Sequence, residues 1–370
     1  MKKMRNFFRE KKDWLIITFC FLLATLILYG YFWFFHPQKL QWIYQNWDGP
    51  GYLVVAKSFY DPEIYAKVNF IHFLDVNHST AQFPLYPVFI RLFSFIGYFR
   101  SMLFVSQLFA LLSIILFYEI VKKLKISKNP LGLSLPMIFL TPRWFIVSHV
   151  GSSEPIFIFF MLLFLFFLTQ KKYLLSAIFG AFAQAARPPG ILLFVAVFSL
   201  FFFDLIKTKT NFKSFLKKIT PYFLIPLTLS LIFGYYQIKL NNFFAYFYAI
   251  DKEFKQIQFP FIRIFSYPKP EITTFWQEIN VVNYLLYLTA AFFLIKKGLY
   301  PFAAVAFTFY SQLALIVHMD ISRYALPMLP FLFIAFSEII ETKYFRLALF
   351  IILPAIYAYS YNFMCWNLGP

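Results

Sequence analysis

The chain has 370 residues, of which 61% are hydrophobic, 24% aromatic and only 14% charged. A soluble domain has no use for that much apolar surface, so the composition excludes one and points to a polytopic membrane protein. The net charge of +18 would suit nucleic acid. However, Lys and Arg fall in short loops between apolar runs, which fits topology determinants and contact with anionic lipid instead.

A bilayer-crossing helix needs about 20 apolar residues. Six basic side chains in residues 1–13 precede an apolar run over 14–35 that is too long for a signal peptide and lacks a small-residue cleavage site. This predicts an uncleaved first span with a cytoplasmic N-terminus. Further spans are predicted over 101–121, 131–148, 154–170, 173–187, 189–206, 220–239, 281–295, 299–318, 325–341 and 345–362, making about eleven. In that arrangement the cytoplasmic loops, with Arg346, hold 21 of the 34 Lys and Arg, although the two longest loops, 36–100 and 240–280, lie outside. The stretch 83–99 is apolar too, but a crossing there would turn the lysines after residue 121 outward. It therefore predicts a helix in the interface. The expected fold is all-α, a single integral membrane domain over 1–370 with a long first outer loop. Cys20 and Cys365 are not expected to pair.

This topology places ten of the sixteen Asp and Glu on the outer side. Ionisable groups at membrane depth are costly and usually functional. Asp48, Glu154, Arg187, Asp320 and Arg323 all fall near predicted outer helix ends and could converge on one outward-facing cavity. Trp47 and Tyr52 could flank a sugar ring, and Asp48 could accept a proton from a hydroxyl. Arg187 and Arg323 could hold a phosphate through their planar forks. Such a set suffices for inverting glycosyl transfer with a phosphate leaving group.

Plainer readings stand beside each of these. Asp48 before Gly-Pro-Gly can simply cap the next helix, and Glu154 before Pro155 can complement a helix dipole. Arg187 can snorkel from a helical hairpin, Asp320 and Arg323 can form an i,i+3 ion pair, and each histidine can be an interfacial residue. The outer carboxylates could hold a divalent ion, but their spacing fits no tight-site motif, so a metal is left open. No other cofactor is implied.

Trp47-Asp48-Gly49-x-x-Tyr52 resembles the first-loop motif of the GPI mannosyltransferase II (PIG-V) family and its prokaryotic relatives, within the GT-C superfamily. Four further elements follow in the family's order: Gln82-Phe83-Pro84-Leu85-Tyr86-Pro87, Ser152-Ser153-Glu154, Ala186-Arg187-Pro188-Pro189-Gly190, and Ser322-Arg323-Tyr324 leading to Leu326-Pro327. The resemblance implies an inverting transferase that moves a mannosyl or other hexosyl residue from a polyprenyl-phosphate donor to a lipid-linked or protein acceptor. In it Asp48 would be the general base, Glu154 an auxiliary acid, and Arg187 and Arg323 donor-phosphate contacts. Trp47, Tyr52, His72, Tyr86 and Tyr324 are the candidate substrate contacts. Ser152, Pro189 and Gln82 depart from the family pattern, where Tyr, Thr and Phe are usual. The lack of a soluble domain fits a prokaryotic relative in the cell membrane, acting on a cell-envelope acceptor with its site facing outward. The rival expectation is a transporter or flippase of a lipid-linked saccharide, which would use the same aromatic and basic residues without a base.

Overall fold

A computed structural model describes residues 2–68, 76–208, 211–253, 270–316 and 320–366. It is all-helical, with no β-strand among the described residues. The α-helices, in chain order, are α1 (Lys2–Phe35), α2 (Leu40–Ile43), α3 (Gly49–Ser58), α4 (Pro62–Val68), α5 (Leu85–Leu92), α6 (Tyr98–Lys123), α7 (Pro130–Ser134), α8 (Pro142–Val147), α9 (Glu154–Thr169) and α10 (Tyr173–Ala186). There follow α11 (Ile191–Thr208), α12 (Phe212–Ile219), α13 (Leu224–Leu240), α14 (Ala245–Glu253), α15 (Pro270–Lys296), α16 (Tyr300–Leu315), α17 (Ile321–Tyr324), α18 (Leu329–Ala335), α19 (Ser337–Ile340) and α20 (Lys343–Trp366).

Six helical stretches among the described residues are long and apolar enough to cross a membrane: Lys11–Phe35, Tyr98–Lys123, Pro188–Lys207, Phe212–Leu240, Glu278–Lys296 and Lys343–Trp366. The helices Glu154–Thr169, Tyr173–Ala186 and Leu326–Ala335 are apolar but shorter. The predicted span 131–148 is not one continuous helix. Pro136 and Pro142 interrupt it, because a proline removes a backbone donor and clashes with the preceding turn, and α7, a 3₁₀ turn and α8 take its place. The interval 83–99 is likewise a short helix, α5, followed by a 3₁₀ turn, with Leu92 and Phe95 well exposed.

Many apolar side chains face outward, including Phe34, Leu231, Phe350 and Ile351. In water such a surface would aggregate; against lipid it is the expected exterior. Inside, α9 packs between α6 and α10, with Phe157, Met161, Phe164 and Leu165 fully buried.

Polar contacts fix how the helices run. Trp14 Nε1 donates to Glu119 Oε1 at 2.7 Å, the Tyr118 hydroxyl donates to Asp13 Oδ2 at 2.6 Å, and Lys123 Nζ donates to Gln170 Oε1 at 3.0 Å. The start of the apolar stretch of α1 thus meets the ends of α6 and α9, where Lys122, Lys123, Lys171 and Lys172 gather. Because α9 and α10 form a hairpin across Lys171-Lys172, Glu154 and Arg187 sit together at its opposite end.

Candidate functional site

Two segments distant in sequence meet through glycine. Gly49 opens α3 and Gly151 lies just before α9. A Cβ on Gly151 would fall 2.9 Å from Gly49 Cα and also strike Met102 Sδ, while one on Gly49 would lie 3.3 Å from the Tyr44 carbonyl oxygen. Only the missing side chains let the two backbones touch. Gly51 is closed in a similar way by the Gln82 side-chain amide. Asn46 anchors the start of the turn, donating from Nδ2 to the carbonyls of Trp42 (2.9 Å) and Met364 (3.1 Å). This close approach carries Asp48 and Glu154 toward a common point.

Asp48 occupies the N-cap position of α3, yet its carboxylate makes no capping bond. It turns instead to Arg323, whose Nη2 donates to Asp48 Oδ2 at 2.6 Å. The same guanidinium donates from Nε to Glu154 Oε1 at 2.6 Å, so one planar fork joins two carboxylates. Glu154 Oε1 also pairs with Arg187 Nη1, and Glu154 Oε2 accepts from the Ser152 hydroxyl. Asp320 caps α17 by accepting from the Arg323 amide at 3.2 Å, and its Oδ1 pairs with Arg143 Nη2 at 3.1 Å. The site therefore balances three carboxylates (Asp48, Glu154, Asp320) against three guanidiniums (Arg143, Arg187, Arg323).

Burial divides the roles. The Glu154 side chain is 2% exposed and those of Arg323 and Arg187 are 15% and 17%, whereas that of Asp48 is 45% exposed. Asp48 Oδ1 has no partner among the described residues. Burial disfavours the Arg323 cation, but Glu154 and Asp48 more than offset it and hold that group firmly charged. Burial also pushes the Asp320 carboxyl above its ordinary range, against the pull of Arg143 and Arg323.

The aromatic residues fall in distinct places. Trp47, in the left-handed region with φ 47°, has its ring 4.8 Å from the Arg323 guanidinium carbon, 5.5 Å from that of Arg143 and 5.1 Å from the Phe363 ring. It is a wedge between two cations. Tyr52 is buried behind Asp48; its hydroxyl is 2.7 Å from Ser153 Oγ and its ring meets Tyr86 edge-on at 4.9 Å. Tyr86 is fully buried, with its hydroxyl donating to the Met102 carbonyl and lying within hydrogen-bond reach of Ser106 Oγ and the Ser152 amide. It braces the Ser152–Glu154 turn from beneath. Tyr324 is partly buried beside Arg323, and His72 lies outside the described residues.

His149, expected at the membrane edge, is fully buried against Phe21, Tyr29 and Phe145, with Thr25 and the Phe145 carbonyl at its two nitrogens. It is a core residue. Among the described residues no group of three or more His, Cys, Asp or Glu side chains is arranged to hold a metal ion.

The residue that sequence reasoning missed is Arg143. It hid inside the interval read as one span. The signal was present: an arginine in an apolar run, directly after Thr141-Pro142, is a costly group that calls for a partner. No protein-family model matches the chain, and no curated protein matches it either.

Proposed function

We propose that this protein is an inverting membrane glycosyltransferase. It takes a sugar from a polyprenyl-phosphate donor and passes it to a hydroxyl on a lipid-linked or protein acceptor at the outer face. The observation that carries this reading is the Asp48–Arg323–Glu154 bridge. Arg323 fixes the orientation of the Asp48 carboxylate through Oδ2, while the outer oxygen, Oδ1, is left to receive a proton. As the acceptor oxygen bonds to the anomeric carbon, its proton passes to Asp48 and the bond from that carbon to the phosphate oxygen breaks. The lipid phosphate departs with the electron pair. Guanidiniums nearby stabilise its charge, so no strong general acid is required.

The finer topology belongs to the same reading: about eleven crossings, with the lysine-bearing end in the cytoplasm. At 1.5 Å per residue, the sixteen residues of α9 span about 24 Å, short of the roughly 30 Å hydrocarbon core. With Lys171 and Lys172 at the inner interface, Glu154 then lies recessed below the outer one. A recessed, water-excluding site strengthens each charge interaction within it.

The test is transfer by purified protein given a polyprenyl-phosphate sugar and an acceptor extract. Asp48→Asn keeps the shape and removes the base, so the rate is expected to fall by about 10²-fold or more. Undiminished transfer would remove Asp48 from this role. No transfer with any donor, combined with movement of lipid-linked sugar across liposomes, would replace the enzyme with a transporter.

A further inference from the structure

The lysine-bearing end of the molecule holds a groove that the candidate site does not use. It runs between the start of α10 and the segment leading into α13, with Leu174, Thr220, Pro221, Phe223 and Leu227 along its walls. The two helices close on each other where Gly180 faces Ile225: a Cβ on Gly180 would fall 2.7 Å from Ile225 Cδ1. Beside that contact Leu174, Phe223 and Leu227 stay exposed. The groove holds about 590 Å³, a volume within the range of ligand pockets. Its hydroxyls are turned back onto the chain. Thr220 donates to the Leu216 carbonyl at 2.7 Å and Ser230, at the far end, to that of Pro226 at 3.1 Å. From Thr220 to Ser230 the chain rises roughly 15 Å at 1.5 Å per residue, half of the roughly 30 Å hydrocarbon core. The groove is as long as one leaflet is deep.

The mouth has the opposite chemistry. Residues 204–219 contain five lysines and a single acid, Asp204, which Lys218 already takes at 3.1 Å. Helix α12 sorts its side chains by face. Phe215 and Ile219 are buried, with Phe215 5.9 Å from the Phe198 ring of α11. Phe212 and Leu216 share that apolar stripe, and the helical period sets Lys213, Lys217 and Lys218 on the other side. Such a helix lies in the plane of the interface. Lys217 precedes Thr220 by three positions and Lys171 precedes Leu174 by three, so each wall brings one lysine to the mouth. Both are exposed, and neither has an ion-pair partner among the described residues. Apolar walls over the depth of a leaflet, met by cations at one end only, complement an acyl chain with an anionic head.

We propose that this groove binds an anionic phospholipid of the leaflet at the lysine-bearing end. One acyl chain lies along Leu174, Phe223 and Leu227, and the headgroup phosphate meets Lys171 and Lys217. The site stands at the opposite end of the α9–α10 hairpin from Glu154 and does not depend on glycosyl transfer.

The experiment measures the Kd of delipidated, full-length protein in detergent for phosphatidylglycerol and for phosphatidylcholine with the same acyl chains, with no sugar donor present. Lys171→Ala combined with Lys217→Ala should weaken phosphatidylglycerol about 25-fold, about 5-fold for each lysine, and leave phosphatidylcholine nearly unchanged. Ser230→Trp fills the far end and should weaken both lipids alike, by about 10-fold. Lys125→Ala, beyond α6 at the same end, should affect neither. All four side chains are exposed, so the fold should tolerate each change. An equal loss in Lys125→Ala would reduce the effect to general surface charge and overturn the site. So would wild-type protein that does not distinguish the two lipids, or a preference that survives removal of both lysines. A lipid-free dimer that Ser230→Trp dissociates would give the groove to a second copy of the chain and overturn the lipid. Each of these results leaves the role of Asp48 standing, and a protein without transferase activity would leave the lipid site standing.

Discussion

The two ends of the α9–α10 hairpin treat charge in opposite ways. At one end Glu154, Arg187, Arg323 and Asp48 are interlocked, and all but Asp48 are largely withdrawn from solvent. At the other, Lys171 and Lys172 lie exposed at the tip, and they resemble surface pairs such as Lys297–Glu338, whose carboxylate is 89% exposed. Water already solvates the second set, so its pairings add little. The first set exists only because each charge has a partner, and withdrawing one partner leaves another buried and unpaired. Charge is therefore left to water at one end and interlocked at the other.

Breaking the interlocked end should have the largest effect. Glu154→Ala leaves the Arg187 guanidinium uncompensated and Arg323 with Asp48 alone, and should destabilise the protein by about 3–5 kcal/mol, read as a large fall in Tm in detergent. A small change would mean that the cluster is wetter than its burial implies. Gly151→Ala attacks the scaffold rather than the charges. Its methyl would collide with Met102 and Gly49, at a cost of about 1–3 kcal/mol. If the proposed transfer is the protein's activity, the displaced turn should also slow it by more than the loss of stability accounts for, since misplacing a reacting group is costly. Normal activity in this variant would show that the glycine contact does not set the distance between Asp48 and Glu154. The smallest effect belongs to the solvated charges. Glu338→Ala, which removes the partner of Lys297, should change stability by no more than about 0.5 kcal/mol. A large loss there would erase the contrast between buried and solvated charge.

The sequence showed most clearly what depends on local composition. Apolar runs, the lysine-rich loops and the break around Phe95 are all local signals, and the helical architecture follows from them. Asp48, Glu154, Arg187 and Arg323 could be picked out as expensive residues at predicted helix ends, and the structure brings these four into one network. The direction each side chain takes could not be read. Asp48 and Asp320 both hold cap positions, yet Asp320 caps α17 while Asp48 makes no cap and reaches Arg323; tertiary partners decide between two choices that look alike locally. Trp47 was expected beside a sugar. In the structure its ring is engaged by Arg143, Arg323 and Phe363, contacts that join residues far apart in the chain. Arg143 was lost because hydropathy averages over a window, and one arginine scarcely lowers the mean of an apolar run.

The way Glu154 is shared has a consequence for biosynthesis. Its pairing with Arg187 joins the two ends of a single hairpin, so this buried acid enters the bilayer with its counter-charge on the very next helix. Arg323 arrives only 169 residues after Glu154 and then reaches back 275 residues to Asp48. The inner half of the site is thus neutralised as the chain is inserted. The half that holds Asp48 is completed only when α17, near the end of synthesis, docks.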